Sequence, residues 1–112
     1  MHHVNVVVPP GLVPETERFW IEVFGGVPLE RHGRSGRPGA WLDLGELEVH
    51  VSERDGAPHP DAHSALVVDN FAAVRATALE RGDPWEDAEP LAGMTDRAFT
   101  RDPGGNRVEV LG

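Results

Sequence analysis

No cysteine, lysine or tyrosine occurs in this 112-residue chain, and all ten of its basic residues are arginines. Without cysteine there are no disulfides, no thiolate nucleophile and no cysteine-based zinc or iron–sulfur site. Without lysine there is no Schiff base, and without tyrosine no phenol serves as acid or base. Chemistry is therefore left to His, Asp, Glu, Ser, Thr or a bound cofactor. Positive charge is scarce as well: the formal net charge is −9, which argues against a nucleic-acid partner, whose phosphates need a basic face. It suits a cationic ligand or a metal ion, although acidic surfaces also simply keep proteins soluble. No apolar run approaches the roughly 20 residues of a membrane span. Val4 to Val8 is too short for the apolar part of a leader, so a cytoplasmic location is expected.

What is present reads as one domain. Met1 to Val8 is β-branched and apolar and is stopped by Pro9-Pro10-Gly11, with His3, Asn5 and Val7 on one face. Pro14, Glu15 and Glu17 open a helix carrying Phe19, Trp20, Val23 and Phe24, and Gly25-Gly26 closes it. Three short strands are predicted at Val27 to His32, Ala40 to Leu44 and Glu46 to Ser52, with a tight turn near Gly45. A polar stretch, 53–61, carries Gly and two prolines and reads as a linker between module one, 1–52, and module two, 62–112. The pattern then restarts. Ala62 to Val68 is a strand, Asp69-Asn70 offers an N-cap, and Phe71, Val74, Ala78 and Leu79 mark a helix face that Gly82 ends. Strands are predicted at Trp85 to Ala88 and Ala98 to Arg101. After the turn Asp102-Pro-Gly-Gly-Asn106 comes the last strand, on which Arg107, Glu109 and Leu111 share a face.

The order strand–helix–three strands thus occurs twice. Each half opens with a histidine, His3 or His63, and closes on an apolar-Glu-Val triplet, Leu47-Glu48-Val49 or Val108-Glu109-Val110. His3 lies 45 positions before Glu48, and His63 lies 46 before Glu109. The agreement in element order and in spacing singles out these four residues.

Several motifs carry a family resemblance. They are His3-Val-Asn-Val, Arg18-Phe-Trp-(x3)-Phe-Gly-Gly, Trp41-Leu-Asp-Leu-Gly-Glu-Leu-Glu-Val-His50, Ala62-His-Ser-Ala-Leu-Val-Val-Asp-Asn70 and Asp102-Pro-Gly-Gly-Asn-Arg-Val-Glu109. Through them essentially the whole chain resembles a single-domain member of the vicinal oxygen chelate superfamily, which includes glyoxalase I, bleomycin-resistance proteins and extradiol dioxygenases. The resemblance implies an α+β fold: two paired βαβββ modules whose curled, mixed sheets build an open half-barrel. It implies metal ligands on the first and last strands of each module, here His3 and Glu48, and His63 and Glu109. Such a set suits a divalent ion (Fe, Mn, Ni, Co or Zn) with open positions.

The ion would stabilise the enediolate of a small substrate with adjacent oxygens, as in an isomerase or lyase, while Glu109 and Glu48 handle protons. His50 lies two residues beyond Glu48 on the same strand face and competes with it for the site. His50, Asn5 and Trp41 are expected to line the substrate pocket. His2 is expected on the opposite face from His3, and His32 and His59 in or beside turns. Trp20 and Trp41 read as core or barrel-wall aromatics, and Trp85 as core or pocket mouth. The missing tyrosine weighs against extradiol dioxygenases and fosfomycin-resistance enzymes. The contrasting reading is a non-catalytic protein like the bleomycin-resistance proteins, which sequester a cationic drug in an acidic dimer groove. A homodimer is expected on either reading, because open sheet edges need protection.

Overall fold

The valine-rich opening forms β1 (His3–Val8), and the prolines at 9 and 10 end it because they cannot donate to a sheet ladder. The computed structural model describes residues 1–31 and 36–112; His32, the expected end of the first of the three strands, lies outside the described residues. Helix α1 (Val13–Phe24) has proline in its first turn and ends at Gly25, whose φ of 72° is the left-handed conformation that closes helices. Strands β2 (Val27–Leu29), β3 (Gly39–Asp43) and β4 (Glu48–Glu53) complete module one. Module two repeats the order with β5 (His63–Val67), α2 (Phe71–Arg81), β6 (Trp85–Asp87), β7 (Arg97–Arg101) and β8 (Arg107–Leu111). Asn70 does occupy the N-cap of α2, but its side chain makes no capping bond. Leu79, expected on the buried helix face, is 47% exposed.

Each module is one mixed four-stranded sheet, ordered β1-β4-β3-β2 and β5-β8-β7-β6. The first and last strands of a module run parallel, and the other pairs are antiparallel. This is the twice-repeated βαβββ arrangement predicted above. The helix of each module covers one sheet face. Phe19, Trp20 and Val23 of α1 are buried over Val6, Val8, Leu42, Val49 and Val51. Val74 and Ala78 of α2 are buried in the same core as Leu66, Val108 and Val110. Module two therefore fills its half of the core with smaller helix side chains.

Among the described residues the sheets share no strand pairing; the modules meet through their helices and through the turn 102–106. Asp102, 3% exposed, accepts bonds from Trp20 Nε1 at 3.3 Å and from the backbone N–H of Asn106 at 2.9 Å. Asn106 Nδ2 also donates to Asp102 and to the Val7 carbonyl of module one, the latter at 2.9 Å. Gly104 lies so close to Val8 that a Cβ there would fall 2.3 Å from Val8 Cγ1. Arg81 of α2 adds an ion pair to Glu22 of α1 at 2.7 Å. Burial pushes the Asp102 carboxyl above its ordinary range, against the pull of these donors.

Candidate functional site

Alternation along the strands sends Val49, Val51, Val108 and Val110 toward the helices and leaves a second face on each sheet. On module one, strand register sets His3, Glu48 and Asp43 in one row across that face, and Asn5, His50 and Trp41 in the next. The rings of Trp41, His50 and His3 stack in series, with centroids 4.3 and 4.0 Å apart and planes within 9° at each step. His50, the middle ring of this stack, is 8% exposed and donates from Nε2 to Glu48 Oε1 at 2.8 Å. His2 precedes β1, so strand alternation does not hold it away from this cluster. It is exposed, yet its ring meets His3 edge-on at 5.1 Å and its Nε2 lies 4.0 Å from Glu48 Oε2.

On module two the corresponding rows are His63, Arg107 and Arg101, then Ala65, Glu109 and Phe99. Glu109 is buried, as an inward carboxylate should be. Its Oε1 lies 3.1 Å from His63 Nε2, and its Oε2 accepts from Arg97 Nε at 2.7 Å. The Arg97 hydrogen bond holds the Glu109 carboxyl below the usual carboxylate range, with a smaller contribution from His63 and despite burial. An ionised Glu109 suits cation binding better than proton abstraction, because a weaker base takes protons less readily.

Register also corrects the alignment of the repeat. His3 pairs with Glu48, whereas His63 pairs with Arg107. Across the hairpins Trp41 faces His50 and Phe99 faces Glu109. The structural counterpart of Glu109 is thus His50, while Glu48 corresponds to Arg107. Spacing misled because the matched interval differs by only one residue, 47 positions from His3 to His50 against 46 from His63 to Glu109, so the glutamate 45 positions after His3 falls two residues short, on the neighbouring row.

The four spacing-selected residues form two pairs on two separate sheets. Among the described residues, no group of three or more His, Asp or Glu is arranged to hold a metal ion. Trp20 is core, as expected. Trp85 is half-buried against Phe71 and donates to Asp87. His59 is exposed and accepts from the backbone N–H of Asp61. Arg97 and Arg101 escaped the sequence reading, although the alternation Arg97-x-Phe99-x-Arg101 already placed them on one face.

A model of the Glyoxalase/Bleomycin resistance protein/Dioxygenase superfamily matches residues 1–110. Among solved structures, a glyoxalase family protein of Bacillus anthracis is 26% identical with a TM-score of 0.87, covering 99% of this chain and 92% of that one. A glyoxalase family protein of Enterococcus faecalis is 23% identical with a TM-score of 0.76, covering 100% and 96%. The fosfomycin resistance protein FosX of Listeria monocytogenes, complexed with Mn(II) and a dihydroxypropylphosphonic acid, is 13% identical with a TM-score of 0.80, covering 99% and 88%. No curated protein matches the chain.

Proposed function

The chain belongs to the glyoxalase/bleomycin resistance protein/dioxygenase superfamily, and from that premise we propose that it is a divalent-metal-dependent isomerase or lyase whose site is shared between two copies of the chain. In this reading His63 and Glu109 of one copy face His3 and His50 or Glu48 of the other. The observation that carries it is the separation of His63 Nε2 and Glu109 Oε1, 3.1 Å. With metal–donor distances of about 2.1 Å, two adjacent ligands of one ion lie about 3 Å apart. Module two offers two such donors, and among the described residues no third joins them to make a metal-holding group within the chain, so one chain leaves the set incomplete.

A bound ion would supply Lewis acidity toward adjacent oxygens of a small substrate. The protein's own residues divide the remaining work. Arg97 keeps Glu109 ionised for the ion, and Glu48, bonded to His50 and reached by solvent, is the carboxylate placed to move a proton. Trp41 and Asn5 line the wall beside His50. The second reading, a non-catalytic small-molecule binder, is favoured by the lowered pKa of Glu109, which weakens it as a base.

Mixing separates a shared site from one within a chain. His3→Ala and His63→Ala proteins should each lose stoichiometric Mn(II) while remaining folded. Co-refolded in equal amounts, they should regain about one quarter of the parental Mn(II), since half the dimers are mixed and each restores one of two sites. No recovery on mixing, with both parents dimeric by sedimentation, would refute the shared site. Retention of tight Mn(II) by His63→Ala would refute the ligand assignment.

A further inference from the structure

The face that carries His63 and Glu109 also carries three arginines in a chain of net charge −9. Arg97 is neutralised by Glu109. Arg101 and Arg107 are not: among the described residues Arg101 donates only to the carbonyl oxygens of Gly105 and Pro60, at 3.1 and 3.0 Å. Arg107 makes no hydrogen bond or ion pair among the described residues; its guanidinium packs 3.8 Å from the Phe99 ring centroid. These two cations are direct partners across β7 and β8, and like charges directly opposite one another destabilise a sheet. Phe99 holds Arg107 there by a cation–π contact. Glu86, the one further carboxylate that register sets on this face, is exposed and pairs with neither arginine. An anion received between them would remove the repulsion.

We propose that Arg107 and Arg101 form an oxyanion subsite, taking the carboxylate or phospho group of a small ligand that lies against His63 and Glu109. Guanidinium groups bind both oxyanions through paired N–H donors, and Arg107 has all its donors free to do so. The ligand is then anionic at one end, and a cationic drug is disfavoured on this face. The inference rests on the reading that this face binds a small molecule, but it does not need the metal.

The test is calorimetric titration of the metal-free protein in chloride buffer with inorganic phosphate and, separately, with acetate. Binding of either to the parent, weakened about tenfold or more in Arg107→Gln, supports the subsite. Arg54→Gln, which removes an equal charge from an exposed site, should change affinity less than twofold. Arg107→Lys should fall between, keeping the charge and losing the fork. Preference for phosphate assigns a phospho ligand, and preference for acetate a carboxylate. These results hold whether or not Mn(II) binds, so failure of the metal reading leaves them standing. The proposal is overturned if the parent binds neither anion at tens of millimolar. Equal weakening by Arg54→Gln and Arg107→Gln also overturns it, as does a loss of dimer in Arg107→Gln with unchanged anion binding, which would assign the pair to a partner's carboxylate.

Discussion

Replacing Asp102 with alanine should loosen the joint between the modules, and the size of the effect follows from its contacts. The buried carboxylate accepts from Trp20 Nε1, from the Asn106 backbone N–H and from Asn106 Nδ2. Alanine leaves buried donors without acceptors, at about 1–3 kcal/mol each. It also removes a carboxylate whose ionised form burial disfavours, which offsets part of that loss. A net destabilisation of about 3 kcal/mol results. With an unfolding entropy of about 2.1 cal/mol/K per residue, this chain's melting temperature should fall by about 12 °C. The assay is thermal or urea unfolding followed by tryptophan fluorescence, to which Trp20 contributes beside Trp41 and Trp85. pH supplies a second check. Because the folded pKa of Asp102 is raised, its stabilising contribution is fully present below the ordinary carboxylate value and is lost as pH rises through the folded value. The gap between parent and Asp102→Ala should therefore be largest in acid and narrow toward neutrality. A melting shift under about 3 °C would show that Asp102 does not work as a buried acceptor, and a gap that widens with pH would show that its donors outweigh burial and hold its pKa down.

Three further outcomes are expected. Since register equates His50 with Glu109, His50→Gln should lower Mn(II) affinity more than Glu48→Gln does. Glu48→Gln should instead cut turnover of any substrate found by about a hundredfold or more with metal retained; parallel metal analysis and kinetics would expose the opposite order. In the metal-free protein, Arg97→Gln should bring the Glu109 pKa back up toward the ordinary glutamate value, read by carboxyl-carbon NMR titration. Stability supported by the depressed pKa is present above the unfolded value and lost as pH falls through the folded one, so this variant should also lose less stability on acidification. Gly104→Ala should destabilise by about 2–3 kcal/mol through its clash with Val8, and Val8→Ala in the same chain should return part of that loss in urea unfolding.

The sequence was most legible where local chemistry governs. Valine runs, the glycines at 25 and 82 and the proline-rich breaks place every element to within a few residues. The doubled order of elements disclosed the modules. Register was not legible, because it depends on hydrogen bonding between strands some 45 residues apart and on a one-residue difference in length between the modules, neither of which leaves a mark near Glu48 or His50. The Trp20–Asp102 bond was hidden for the same reason: nothing near either residue announces a partner 82 positions away. Arg107 was seen to share a face with Glu109, but its lack of a carboxylate partner is a fact of three dimensions.

The parallel pairing of β1 with β4, and of β5 with β8, bears on how the chain is made. Each sheet closes only when its last strand arrives, so closure entropy is met late within each module. Module one holds all its strands by residue 53 and can close during synthesis before module two leaves the ribosome. Module two, with the smaller helix side chains, docks afterwards through the turn at 102–106, which is translated after every strand of module one. Refolding should then run in order: a fast phase reporting sheet one, then a slower unimolecular phase as Asp102 engages Trp20.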